Sequence, residues 1–270
     1  MENRFLPYQA SPVPPAQCVL VLAPHPDDEV FGCGGCLALY QAQGVPVHVL
    51  LLTDGGAGVD PNVRAQYVAQ RRQESEAAGR VLGYVVEQLP YQDRMLGQAT
   101  ALVTDIVSVA QRLGADLVYA PSPWEIHPDH YHAAWAAQAA LRLLPESVRL
   151  ATYEVGMPQR PNRLVDITAV AAQKRAAMDC FTSQMALQRY AEQVTGLNVF
   201  RSYTLGPDVA MAEALTVFGR DDLEKDPCDL QVARRQREWM QSPWTPPSGT
   251  GQDAPQGVWN GIARWWRCRS

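Results

Sequence analysis

Residues 21–35 read VLAPHPDDEVFGCGG, an apolar run that stops at Pro24 and turns into a histidine, three successive carboxylates and a glycine-rich segment. The run ending there, CVLVLA at 18–23, has the β-branched, uninterrupted character of a buried strand. Asp27, Asp28 and Glu29 repel one another, and burying an unpaired carboxylate costs roughly 3 kcal/mol or more. A positive partner is therefore expected where this strand ends.

Further along the chain, strand patterns fall at 47–53, 84–89, 116–120 and 149–155, with helical patterns between them at about 35–43, 63–82, 97–113 and 129–144. Gly44, Gly83, Gly114 and Pro145 punctuate those helices. Alternation of this kind predicts an α/β fold with a parallel sheet covered by helices on both faces. In the commonest doubly wound order, 3-2-1-4-5, strands 1 and 4 are neighbours and ligands bind in the crevice between their C-terminal ends. The quoted stretch follows strand 1, and PSPWEIHPDHYH at 121–132 follows strand 4, so the two charged, histidine-bearing loops are expected to meet there. Beyond residue 155 the pattern predicts helices over about 169–193 and 208–218. The catalytic domain is placed at 15–219 and a Trp-rich extension with a Pro/Gly-rich linker at 220–270.

The chain has 270 residues, 47% hydrophobic and 19% charged, with a formal net charge of −5, and its Lys and Arg are scattered. That argues against binding driven by nucleic-acid phosphates. No signal-peptide pattern and no apolar window of about 20 residues is present, so a soluble, cytoplasmic protein is expected. Six cysteines in a chain of this length are too sparse for a disulfide scaffold.

His25 and Asp28 stand three residues apart on a loop leaving a strand, and His130 on the strand-4 loop can join them. Two imidazoles and one carboxylate with an open position form the ligand set of a catalytic zinc site. Asp27 is then the candidate base, taking a proton from water whose pKa the ion lowers towards about 7. His127 is placed to meet an oxyanion, and Asp129 to orient one imidazole.

These residues carry a resemblance. PHPDDE at 24–29 with FGCGG behind it, TDG at 53–55, HPDH at 127–130, and RLVDIT at 163–168 followed by KRAAMDCFTSQ at 174–184 resemble the LmbE/PIG-L superfamily of zinc-dependent N-deacetylases. The resemblance implies a Rossmann-like three-layer α/β/α fold with a mostly parallel sheet. It also implies one Zn2+ per chain on His25, Asp28 and His130, with Asp27 as general base and His127 as transition-state stabiliser. Arg71 matches a family arginine taken to contact substrate hydroxyls, with Arg72 beside it as the other candidate, and Asp93 matches an acidic sugar-binding position. The implied substrate is a small N-acylated amino sugar of the N-acetylglucosamine type, as a glycoside, lipid or secondary-metabolite conjugate. Where some relatives carry a tyrosine two residues before HPDH, this chain has Glu125.

Other readings compete. A metal-dependent amidase of the same superfamily would take a thiol or antibiotic conjugate. A dinucleotide site would use Gly32-x-Gly34 and Asp54, but Leu37 replaces the third fingerprint glycine. Cys33-x-x-Cys36 lacks the second pair of a structural zinc site, and small residues packing a helix start against the sheet account for it. The tail holds five of the seven tryptophans, beside Arg264, Arg267 and Arg269. It suits docking on a membrane surface or partner protein, or folding back onto the domain or a second copy in a homo-oligomer.

Overall fold

The computed structural model describes residues 6–223, and the Trp-rich extension, with its expected docking role, lies outside the described residues. Strand β1 (Val19–Ala23) is buried along its whole length. Val19, Val21 and Ala23 enter one core, while Leu20 and Leu22 enter the other. Parallel neighbours β2 (Val47–Thr53) and β4 (Leu117–Pro121) flank it, with Val19 opposite Val47 on one side and Leu117 on the other. β3 (Tyr84–Tyr91) pairs in parallel beyond β2, and β5 (Arg149–Tyr153) beyond β4. The 3-2-1-4-5 order and its switch point between β1 and β4 are thus present.

The first core packs the sheet against α1 (Asp28–Ala42) and α2 (Pro61–Leu82). The second packs it against α3 (Leu102–Leu113) and α4 (Pro128–Leu143). α2 is bounded as its sequence dictates: the Asp60 side chain accepts from the Asn62 N–H at 2.8 Å, Pro61 opens the helix, and Gly83 closes it at φ 75°. α1 departs from expectation by opening at Asp28 rather than near residue 35, so the carboxylate run is the helix start itself. There the unsatisfied N–H groups and the helix dipole favour acidic residues.

Beyond β5 the expectations fail in two places. The stretch 208–218, read as helical, contains the strand β7 (Ala212–Phe218), antiparallel to β5 and to β6 (Arg163–Asp166), which gives a seven-stranded mixed sheet ordered β3-β2-β1-β4-β5-β7-β6. Ala, Glu and Leu in AEALTVF are helix formers, but pairing on both edges overrides propensity. The helix expected over 169–193 is three: α5 (Ala171–Met178), α6 (Thr182–Met185) and α7 (Tyr190–Arg201). Glu74 of α2 accepts from Thr182 Oγ1 and the Ser183 N–H, each at 2.9 Å, and from Ser183 Oγ at 2.6 Å, fixing the break between α5 and α6.

α1 is itself kinked at Cys33 (φ −138°, ψ 17°). Beyond the kink, Glu213 of β7 accepts the Gly35 and Cys36 N–H groups at 2.7 Å each, acting as a cap for the second half. Lys174 of α5 neutralises it at 2.7 Å and also donates to Phe31 O and Asn198 Oδ1. No helix among the described residues is long and apolar enough to cross a membrane.

Candidate metal centre

The loop at 24–27 turns sharply because Asp27 adopts φ 137°, ψ −31°, a conformation that L-residues rarely take. Its amide donates to Glu29 Oε2 at 2.9 Å. Glu29, fully buried, also accepts from Ser75 Oγ at 2.5 Å and Tyr84 Oη at 3.0 Å. The third carboxylate of the run therefore fixes the backbone of the first.

Asp28 Oδ2 lies between two imidazoles, 3.2 Å from His25 Nδ1 and 3.1 Å from His130 Nε2. His25 Nε2 is held on its far side by Asp93 Oδ1 at 3.1 Å and Asp129 Oδ2 at 3.4 Å. Asp93 Oδ2 accepts the Ala57 N–H at 3.0 Å, and Asp129 accepts the Arg94 N–H at 2.6 Å and the Leu96 N–H at 3.3 Å. Asp129, carried on α4, thus reaches the imidazole of the other loop. His127 caps α4, its Nδ1 accepting the Asp129 N–H at 3.2 Å.

Arg71 and Arg72 part company. Arg72 is exposed and pairs with Glu76, whereas Arg71 is buried and donates to Asp27 Oδ2 at 2.7 Å, Pro26 O at 2.6 Å and Gly55 O at 3.0 Å. Arg71 and Asp93, for which sugar contacts are expected, make contacts to Asp27 and His25. A buried carboxylate and a buried imidazole need those partners. Glu125 is buried as well, 3.6 Å from His130 Nδ1. Sequence alone assigns no task to Glu29 or Glu125; the signal that marks them is a carboxylate beside an apolar run with no surface to occupy.

The electrostatics follow from burial. Burial lifts the Asp27 carboxyl to about 7 against the pull of Arg71, with the Asp28 charge adding to the rise. Burial also opposes ionisation of Asp28, but His130 and His25 overcome it and hold that carboxyl well below the usual range. Burial opposes charge on the imidazoles too. Even so, contacts to Asp129, Asp28 and Asp93 carry His25 well above its ordinary value, and Asp28 with Glu125 brings His130 to about 9. His127 moves the other way, lowered by burial and by His25 and His130.

Two groups of side chains can each offer donor atoms within 4.8 Å of one another: His25, His127 and His130, and His25, Asp93 and Asp129. Of the residues in the dinucleotide alternative, Gly32 lies where a side chain would run into the Tyr153 ring; with Gly35, where one would run into Ile167, it serves close packing of α1. Asp54 is paired with Arg64 at 2.6 Å. Cys33 and Cys36 are fully buried free thiols.

The sequence profile of the family described as PIG-L, GlcNAc-PI de-N-acetylase, matches residues 20–141, which include both loops. The diacetylchitobiose deacetylase of Thermococcus kodakarensis is 32% identical over 187 residues, 62% of this chain and 69% of that protein. A 4-oxalmesaconate hydratase of Pseudomonas putida is 27% identical over 237 residues, 76% of this chain and 91% of that protein. Among solved structures, the N,N'-diacetylchitobiose deacetylase from Pyrococcus horikoshii superposes with a TM-score of 0.71 at 26% identity, covering 78% of this chain and 87% of that one.

Proposed function

The chain belongs to the PIG-L family, and from that premise and the geometry around Asp28 we propose that it is a metal-dependent hydrolase removing an acetyl or related acyl group from the nitrogen of an N-acetylglucosamine-type sugar. The observation that carries this reading is the convergence of His25 Nδ1 and His130 Nε2 on one Asp28 oxygen, ringed by the buried carboxylates of Asp27, Glu29, Glu125 and Asp129. So much buried negative charge around two imidazoles calls for a cation. His25, Asp28 and His130 would hold it, and the mixed nitrogen and oxygen donors suit Zn2+, one per chain. When bound, such an ion supplies Lewis-acid polarisation of the acyl carbonyl and lowers the pKa of water.

The remaining roles belong to side chains. Asp27, raised to about 7, has a proton affinity matched to neutral pH and takes a proton from the attacking water. Arg71 holds its Oδ2, leaving Oδ1 for the transfer. Because His127 Nδ1 accepts the Asp129 amide, the proton of the neutral ring sits on Nε2, from which it donates to the developing oxyanion. His127 thereby acts as a donor rather than a fourth ligand. Asp93 and Asp129 hold the outer nitrogen of His25, as carboxylates do for metal-bound imidazoles. Protonated Asp27 then returns its proton to the leaving amine.

A hydratase reading is favoured by one observation, the longer alignment with the Pseudomonas putida hydratase. Both are tested together by incubating zinc-loaded protein with a panel of N-acetylhexosaminides, scored for acetate, and with 4-oxalmesaconate, scored by absorbance. Acetate release is expected; water addition without it would install the second reading. Asp27→Ala should keep its metal and lose about 10²- to 10⁴-fold in kcat, and His130→Ala should lose the metal as well. Undiminished turnover by the Asp27 variant would remove the assigned base.

A further inference from the structure

Glu125 stands where some relatives carry a tyrosine, and its surroundings define a task for it in this chain. It lies in the turn leaving β4, five residues before His130. Its Oε1 accepts three successive backbone N–H groups, from Val155 at 2.8 Å and from Gly156 and Met157 at 3.1 Å each. Gly156 N also lies 3.1 Å from Oε2. That second oxygen faces His130 Nδ1 at 3.6 Å. His130 Nδ1 is buried and has no hydrogen-bond partner at this distance, while Nε2 points at Asp28.

We infer that Glu125 is a positioning residue for His130: its carboxylate accepts the Nδ1 proton, commits the Nε2 lone pair to the metal, and ties that ligand to the backbone turn after β5. The chemistry is restrictive. A neutral imidazole has one protonated nitrogen, and the nitrogen that binds metal must be the other one. Nδ1 is cut off from water, so its proton needs a protein acceptor, and Glu125 Oε2 faces it. The three amides on Oε1 hold the carboxylate in place for that task and bring residues 155–157 against the centre. A change in that turn therefore reaches the metal through Glu125.

The inference rests on the metal reading above, and Glu125→Gln tests it. Glutamine keeps an acceptor oxygen for the three amides but presents an NH2 donor to Nδ1, which favours the tautomer whose Nε2 is protonated and unable to bind metal. We expect a fold unchanged by circular dichroism, Zn2+ affinity weakened about 10- to 100-fold in chelator competition, and an altered visible spectrum of the Co2+-loaded protein. Wild-type Zn2+ affinity within about twofold and an unchanged Co2+ spectrum would overturn it. A second measurement needs no substitution: long-range ¹H–¹⁵N spectra of zinc-loaded, histidine-labelled protein should show His130 protonated on Nδ1, and protonation on Nε2 would refute the inference even if the variant failed to fold. Should wild-type protein bind no metal at all, the metal reading falls together with this one; should it bind metal while the variant binds equally well, only the role of Glu125 falls.

Discussion

The three carboxylates of HPDDE separate into three tasks. Asp28 faces the two imidazoles, Asp27 pairs with Arg71, and Glu29 holds the Asp27 amide. Their protonation gives a pH signature in metal-free protein. Against burial, Asp28 and Glu125 push the folded-state His130 pKa up to about 9, from about 6.5 for a free imidazole. The stability from its charged form is complete below about 6.5 and is lost as pH rises through about 9. Asp27, raised to about 7 from about 4, acts in the same direction over its own window. Asp28, held low, contributes uniformly above about 4. Metal-free Tm should therefore fall between about pH 5 and 9, while added Zn2+, which displaces the protons, should remove the decline at the alkaline end. Melts with and without a chelator measure this, and a metal-free Tm rising over that interval would contradict the assignment. Most of these residues are legible from HPDDE and HPDH. The direction of Arg71 is not, since no sequence rule says whether an arginine on an amphipathic helix faces a substrate or a buried aspartate.

Among the elements, α1 decides how the site is held. Its first half carries Asp28 and Glu29, and its second half restarts on Glu213 after the kink at Cys33. Glu213 is buried and paired with Lys174, so Glu213→Gln leaves an uncompensated ammonium and should lower stability by about 3–5 kcal/mol. The combined Glu213→Gln, Lys174→Met variant should recover part of it. Urea midpoints at constant m would decide; additive losses would show that the two residues act separately. None of this is readable from the sequence. AEALTVF suits a helix by propensity, and only its pairing with β5 and β6 makes Glu213 a strand residue facing α1. The FGCGG run, by contrast, signals close packing directly, because residues with little or no side chain let a helix approach the sheet to backbone contact.

For the whole molecule, strand order brings residues about a hundred positions apart to one point. The order of β3, β2, β1, β4 and β5 is legible because five apolar strands alternate with helices, and the crossover rule leaves few ways to arrange them. The antiparallel end is not, because β6 has four residues and no periodic signature. A single ion shared by the β1 and β4 loops should protect both at once. Hydrogen exchange is expected to slow together at residues 25–30 and 125–130 when Zn2+ is added, with little change in β6. Protection confined to one loop would mean that the ligands come from that loop alone.

The backbone of Asp27 has a further consequence, one of selection between fold and chemistry. A positive φ suits glycine, which normally destabilises a chain relative to alanine by about 0.5–1 kcal/mol. Here the order should reverse: Asp27→Gly and Asp27→Ala both strand Arg71 and both abolish the base, but only glycine relaxes the turn, by about 1–3 kcal/mol. Glycine at 27 would give the better folded of two inert variants, so an aspartate holds that conformation for the base it supplies and for the partner it gives the buried Arg71, against the preference of the turn itself.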